Sequence, residues 1–230
     1  MCGRYIITDP SGIYAHYGIE PDGKVSPRFN VSPTQDVPVF MLGLGGCKLE
    51  NMKWGLLPKW AKDTHYIIIN VRDDGVAMKP TFWDSFRKRR FLILANGYYE
   101  WKREGKKRYL FYFYIKGEKA VAFAGIVGEF RYSEGTVVRA CTIITTMPNA
   151  VASEVHDRMP LILKKEDEPR WLETAENKAS GLTELLMPYS ADRMELWEVG
   201  PRVGRPGIDD STLINQLERT VGARIAVESV

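Results

Sequence analysis

Residues 91–146 read FLILANGYYEWKREGKKRYLFYFYIKGEKAVAFAGIVGEFRYSEGTVVRACTIITT, and this stretch decides the predicted fold. Four runs within it are rich in aromatic and β-branched residues, which favour strands. These runs lie at 91–101, 109–115, 120–130 and 137–146. Short segments that contain glycine separate them, as turns between antiparallel strands do. The spacing predicts a curved antiparallel sheet or an open β-barrel core.

Helical patterns are short, and most of them come late in the chain. Pro80 offers the first turn of a short helix, and beyond residue 163 the pattern changes to helical pieces. The sequence contains no repeat, linker or low-complexity tract. We therefore expect one α+β domain over residues 1–230 with short peripheral helices, in which 166–230 is a helical extension packed on the rest.

Composition excludes several classes of protein. The 230 residues are 44% hydrophobic and 27% charged, which is typical of a globular protein and unlike disordered or fibrous chains. No apolar run approaches the roughly 18 residues that span a membrane. The first residues lack the apolar stretch of a signal peptide. We expect a cytoplasmic protein without membrane contact.

Cysteine and histidine are too few and too scattered for the usual structural metal sites. The chain has three histidines and three cysteines, and no two cysteines stand in a C-x-x-C spacing. This pattern favours neither a disulfide framework nor a zinc ribbon. We expect no metal site and no cofactor.

Positive charge is concentrated in the middle of the chain. Residues 51–150 contain 18 Lys or Arg against 9 Asp or Glu, whereas residues 151–200 contain 6 against 11. The densest basic clusters lie at 87–90 and 102–108. Such a bias is typical of a nucleic-acid surface, although solvated turns and helix ends produce the same pattern.

Cys2 directly follows the initiator methionine, and a small second residue is what removal of that methionine generally requires. Cys2 would then carry a free α-amine, with a reference pKa of about 7.7–8.0, beside a thiol of about 8.5. With an aldehyde, the amine forms a Schiff base and the sulfur closes a five-membered thiazolidine ring. An internal cysteine would give only a labile hemithioacetal.

Six short motifs follow one another in the chain: MCGRY at 1–5, NVSPT at 30–34, WGLLPKW at 54–60, NVR at 70–72, GYYEW at 97–101 and HDRMP at 156–160. Together they closely resemble the SOS-response-associated peptidase (SRAP) family, over residues 1–165. The resemblance implies a protein that binds abasic sites in single-stranded DNA and forms a covalent DNA–protein crosslink through its N-terminal cysteine. The lesion is thereby protected during replication.

The resemblance also implies which residues act. The family's nucleophile corresponds to Cys2, and its active-site Asn, Glu and His correspond to Asn70, Glu100 and His156. Glu100 would shuttle protons, with a pKa raised by aromatic neighbours. His156 would protonate the opened sugar oxygen or hold a water, and Asn70 would orient the amine or a sugar hydroxyl. By residue type alone, each could instead be structural: a solvated turn carboxylate, a helix-terminal histidine and a buried turn asparagine.

A DNA-binding set follows from the same resemblance. Arginines would hold phosphates and tryptophans would stack on bases, with two smaller residues as further pocket candidates. In that order, the set is Arg4, Arg72, Trp60, Trp101, Asn30 and Thr145. The family's Asn-Ala-Arg-x-Glu reads NVRDD at 70–74 here, which leaves open whether a carboxylate supports the arginine. The partner would be single-stranded DNA with abasic sites, bound by a monomer associated with the nucleoid.

Two other functions remain open at the level of sequence. One is a self-processing thiol peptidase or amidohydrolase, in which Cys2 attacks an amide and Glu100 or His156 is the base. The family name leaves room for autopeptidase activity, and the crosslinking chemistry leaves room for lyase activity. The other is a non-catalytic single-strand-binding module that does not need Cys2.

Overall fold

The computed structural model describes residues 2–19, 25–43, 46–57, 66–131, 137–205 and 207–218. The strands in these ranges are β1 Arg4–Ile7, β2 Arg28–Val31, β3 Asp36–Gly43, β4 Gly46–Trp54, β5 Asn70–Arg72, β6 Arg90–Ala95, β7 Gly97–Glu104, β8 Lys107–Ile115, β9 Val121–Arg131, β10 Val137–Thr146, β11 Met159–Pro160, β12 Ile162–Leu163 and β13 Met194–Val199. The α-helices are α1 Pro10–His16, α2 Asp73–Val76, α3 Pro80–Lys88, α4 Ala150–Ser153 and α5 Glu168–Glu173. No helix in these ranges has the length and apolar character needed to cross a membrane.

Five strands close into a barrel. The ring runs β10, β4, β3, β6, β9 and back to β10, and in it the β10–β4 pairing is parallel while the other four are antiparallel. Strands β5 and β11 add to β10, and β12 adds to β9. The predicted α+β class with a barrel-like core is confirmed. The sequence left open a curved sheet or an open barrel, and the structure has a closed ring.

A second sheet packs beside the barrel and places the site. Its order is β13-β8-β7-β1-β2, and all four pairings are antiparallel. In it β1 lies next to β7, with Arg4 opposite Tyr99. Because Cys2 comes two residues before Arg4 and Glu100 directly follows Tyr99, this pairing brings the amino-terminal segment towards Glu100.

The chain changes sheets at Asn96, where the sequence predicted one continuous strand. The Asn96 carboxamide oxygen accepts a hydrogen bond from the Thr8 backbone amide at 2.6 Å, and the backbone amide of Asn96 donates to the Ile6 carbonyl at 3.0 Å. These bonds end β6 in the barrel and start β7 in the second sheet. A Cβ on Gly97 would lie 2.4 Å from the Phe113 carbonyl oxygen, so a residue with a side chain does not fit there.

Trp54 links the core to the site. Its ring is fully buried and meets the ring of Tyr5 edge-on, with centroids 5.5 Å apart. The indole N–H donates to the Ile69 carbonyl at 2.9 Å. A buried indole N–H needs such a partner, and this one fixes the backbone immediately before Asn70.

The C-terminal part differs from the helical extension expected from the sequence. Short 3-10 helices are present, but Met194–Val199 forms β13 and pairs with β8, from Met194 opposite Ile115 to Val199 opposite Leu110. The prediction missed this strand because pairing depends on the free edge that β8 offers, which local sequence does not reveal. The last twelve residues, 219–230, lie outside the described ranges.

Candidate active site

Cys2 lies just before β1, with its side chain fully buried. The Asn70 side-chain amide donates to the Cys2 carbonyl at 2.8 Å. The thiol donates weakly to the Arg4 carbonyl, with sulfur and oxygen 4.0 Å apart. Burial raises the pKa of this thiol well above its usual value, and the negative charge of Glu100 acts in the same direction. At neutral pH the sulfur is therefore a thiol and not a thiolate.

Asn70 starts β5, which runs parallel to β10 with Asn70 opposite Ile143. Its amide nitrogen is occupied by Cys2. Among the described residues, its buried carboxamide oxygen meets no hydrogen-bond donor. An unsatisfied buried acceptor is costly, so this oxygen is well suited to accept a bond from a group that enters the site.

Glu100 is a buried carboxylate on β7, with 4% of its surface exposed. One carboxylate oxygen accepts a hydrogen bond from the Trp101 amide at 3.1 Å. Burial raises the pKa of Glu100, and the positive amino terminus and His156 oppose that rise. The alternative of a solvated turn carboxylate is wrong. A carboxyl group with a raised pKa exchanges protons closer to neutral pH than a free one.

His156 follows α4 in a half-exposed position. Its Nδ1 accepts a hydrogen bond from the Arg158 amide at 3.0 Å and lies 2.8 Å from a carboxylate oxygen of Asp157. A contact with a neighbouring carboxylate is also what the alternative of a helix-terminal structural histidine would give. The imidazole also acts electrostatically on Glu100, so the two groups share one site.

Two of the four residues, Glu100 and His156, border an open cleft of about 760 Å³. Glu100, His156 and Trp101 are part of its described lining. Arginines dominate the rest of the polar wall, and these are Arg72, Arg103, Arg108 and Arg158. A cleft with one buried carboxylate and several guanidinium groups favours an anionic ligand.

Two aspartates after Asn70 answer the question that the NVRDD motif left open. Asp74 forms an exposed ion pair with Arg72 at 2.8 Å. Asp73 forms a much less exposed pair with Arg158 at 2.6 Å and accepts a hydrogen bond from Thr146 at 2.7 Å. Burial by itself would raise the pKa of Asp73, but these two partners hold it below its usual value. Both arginines therefore have a carboxylate.

Two of the predicted pocket residues, Asn30 and Thr145, are buried. Asn30 is 5% exposed, and its amide donates to the carbonyls of Val203 and Ile208 at 3.1 and 2.8 Å. Asn30 therefore holds the C-terminal segment. Thr145 is fully buried, and its hydroxyl donates to the Val71 carbonyl at 3.4 Å. Both polar groups are buried and bonded to backbone carbonyls, and their roles as pocket residues stay predictions.

The other predicted DNA contacts differ in how exposed they are. Arg4 is half-buried, with its guanidinium donating to the Gly3 carbonyl at 2.7 Å, and burial lowers its pKa. Trp101 is half-buried at the cleft, and Arg72 is exposed there. Trp60 lies outside the described residues.

Sequence reasoning missed three arginines of the cleft. Arg158 stands within the HDRMP motif at 156–160, which was read only for its histidine. Arg103 and Arg108 belong to the basic cluster at 102–108, and charge counting alone does not assign that cluster to the site. Counting the hairpin register outward from its turn would have set these two opposite each other.

The other basic cluster, at 87–90, serves the fold. Arg87 pairs with Glu176 at 3.0 Å. Arg90 is 7% exposed and donates to backbone carbonyls, including those of Trp171 and Phe86. Local sequence cannot distinguish these satisfied arginines from free ones.

Comparison with known proteins adds independent findings. The family model described as SOS response associated peptidase (SRAP) matches residues 1–206. The chain is 35% identical over 221 residues to abasic site processing protein YoqW of Bacillus subtilis (strain 168), covering 93% of this chain and 99% of that protein. It is 27% identical over 195 residues to abasic site processing protein YedK of Escherichia coli (strain K12), covering 79% and 86%. A crystal structure of a Bacteroides thetaiotaomicron protein shares the fold, with a TM-score of 0.82 at 23% identity over 94% of this chain and 100% of that one.

Proposed function

The chain belongs to the SOS response associated peptidase family, and from that premise we propose that it recognises abasic sites in single-stranded DNA and crosslinks to them through Cys2. The observation that carries the proposal is the position of Cys2. Asn70 holds its backbone, Glu100 acts on its thiol, and the site borders a cleft rich in arginine. Its relatives YoqW and YedK are named abasic site processing proteins, in agreement with this substrate.

The proposed reaction joins two groups of one residue to one sugar carbon. Once Met1 is removed, the Cys2 amine attacks the aldehyde of the ring-opened abasic sugar and gives a carbinolamine. Loss of water produces the Schiff base. The thiol then adds across the carbon–nitrogen double bond: sulfur bonds to carbon, and the nitrogen gains the proton that sulfur loses. Overall, aldehyde and aminothiol give a thiazolidine and one water.

The order of these steps follows from the protonation states. The thiol is held protonated by burial, whereas an α-amine titrates at about 7.7–8.0 and is partly neutral at physiological pH. The amine is therefore the first nucleophile. The peptidase alternative also uses the sulfur as its attacking group, so the need for a free amine is what distinguishes the two reactions.

Three side chains serve this chemistry. Glu100 takes a proton from the ammonium group and returns one to the departing hydroxyl, as a carboxyl group with a raised pKa does well. His156 protonates the sugar oxygen as the ring opens. Asn70 fixes the Cys2 backbone, and its free oxygen accepts a bond from the amine or a sugar hydroxyl.

DNA is held by charge and stacking. Arg4 and Arg72 bind phosphates near the lesion, and a base stacks on Trp101, at roughly 1–3 kcal/mol per stacked base. A phosphate must replace Asp74 on the exposed Arg72 guanidinium, and such exposed ion pairs are weak. We further propose that the protein binds this DNA as a monomer in the cytoplasm.

Replacing one of the two nucleophiles tests the proposal. Cys2→Ser keeps the amine, so we expect it to form a Schiff base with a single strand carrying one abasic site. Borohydride should trap that adduct, whereas without trapping it should reverse on heating. The wild type should give a heat-stable adduct without borohydride. Denaturing gels resolve these species, and a Cys2→Ser adduct as heat-stable as that of the wild type would refute the ring closure.

A further inference from the structure

The hairpin formed by β7 and β8 carries an unusual concentration of charge at its end. Residues 102–108 include five Lys or Arg and one Asp or Glu, and 103–108 are exposed. Glu104, the acidic residue, pairs with Lys102 at 3.0 Å. The other four basic side chains therefore extend a positive surface from the edge of the cleft.

Two of these residues repel each other in the free protein. In the β7–β8 register Arg103 lies directly opposite Arg108, and like charges at directly opposed positions destabilise a sheet. Among the described residues no carboxylate forms an ion pair with either. Other exposed arginines do have a carboxylate partner, such as Arg170 with Glu184 at 2.8 Å. A bound anion would reduce the repulsion between these two arginines.

Arg103 and Arg108 also lie where they could contact a DNA strand bound in the cleft. Side chains alternate along a strand, so Trp101, Arg103 and Arg108 share one face of the hairpin. Both arginines line the cleft together with Glu100. Two residues of a β-strand span about 6.7 Å, so the two arginines lie close enough to Trp101 to contact the DNA backbone beside a base stacked there.

We propose that Arg103 and Arg108 form a phosphate clamp, which binds the DNA backbone next to the base stacked on Trp101. The clamp rests on the proposed function and deepens it, because it assigns the flanking strand a binding site on one side of the lesion. Paired guanidinium groups suit phosphate because their donors form a planar fork.

The salt dependence of binding to an undamaged single strand tests the clamp. Each phosphate contact on a single strand contributes about −0.7 to the slope of log K against log salt. We expect Arg103→Ala/Arg108→Ala to flatten the wild-type slope by about 1.4, measured by fluorescence anisotropy. Arg103→Lys/Arg108→Lys should keep the slope.

A matched control removes the same charge elsewhere. Arg87→Ala/Lys88→Ala also loses two positive charges, but these residues line a different cavity and pair with Glu176. We expect its slope to equal that of the wild type. Equal flattening in both double variants would show a general charge effect and overturn the clamp. Because substitution relieves repulsion, the melting temperature of Arg103→Ala/Arg108→Ala should not fall.

Trimming the DNA locates the contact. On strands with one abasic site, we expect the defect of Arg103→Ala/Arg108→Ala in initial binding to vanish when the phosphates that flank the lesion on one side are removed, and to remain when those on the other side are removed. A defect that persists after trimming on either side would refute the clamp. A wild type that shows the clamp-dependent slope but never crosslinks would contradict the proposed function and leave the clamp in place.

Discussion

Protein whose Cys2 amine is blocked is expected to form no heat-stable adduct with abasic DNA. A retained Met1 or an N-terminal tag keeps the thiol but turns the amine of Cys2 into an amide nitrogen, which is not a nucleophile. Without the Schiff base, the thiol gives at most a hemithioacetal that reverses on heating. The yield of adduct after heating, measured on denaturing gels, should fall from near completion to background.

The matched control restores the amine within the same preparation. A tag that a protease removes to leave Cys2 as the first residue should return the full yield. A peptidase that works by thiolate attack would not use the amine as a nucleophile. A tagged protein that still gives a heat-stable adduct at Cys2 would therefore contradict the thiazolidine mechanism.

Glu100→Gln is expected to slow adduct formation by about 100-fold or more, with little loss of noncovalent affinity. The amide keeps the shape of the carboxyl group but transfers no proton. His156→Ala should be milder, because opening of the sugar ring also proceeds in water. Rates come from single-turnover time courses on an abasic strand, and affinities from anisotropy with undamaged DNA. Equal losses of rate and affinity in Glu100→Gln would indicate a structural role.

The melting temperature of Glu100→Gln is expected to rise, although its rate of adduct formation falls. The folded pKa of Glu100 lies above its usual 4.5, so the native state holds this proton more tightly than the unfolded chain does. Stability from the protonated form is fully present below the unfolded pKa and is lost as pH rises through the folded pKa. At neutral pH, Glu100→Gln should therefore melt higher than the wild type, and the difference should vanish in acid. A lower melting temperature at neutral pH would contradict the burial argument.

Local sequence predicted the strands and helices better than it predicted which strands pair with each other. The strand-rich runs and the helix that starts at Pro80 are present. What the pattern could not show is that the chain leaves the barrel at Asn96, because that change depends on hydrogen bonds to Thr8 and Ile6, almost ninety residues away. Pairing of β13 with β8 is non-local in the same way.

The candidate site, like the fold, depends on contacts between residues that are far apart in the sequence. No spacing in the sequence brings Cys2, Asn70, Glu100 and His156 together, and only the motifs suggested it. The structure connects them through the Asn70 hydrogen bond and the charges that act between Cys2, Glu100 and His156. For Asn30, the structure adds contacts that the motif did not show, because its amide donates to backbone carbonyls of the C-terminal segment. Such contacts depend on distant parts of the chain, which local sequence does not report.

The mass of the intact adduct tests the central claim most directly. Wild-type protein lacking Met1 is incubated with a single strand carrying one abasic site, without reductant, and then heated. The account predicts one species whose mass is the sum of protein and DNA less one water, with the DNA located on the peptide that begins at Cys2. Unmodified protein, or DNA attached to any other residue, would contradict it.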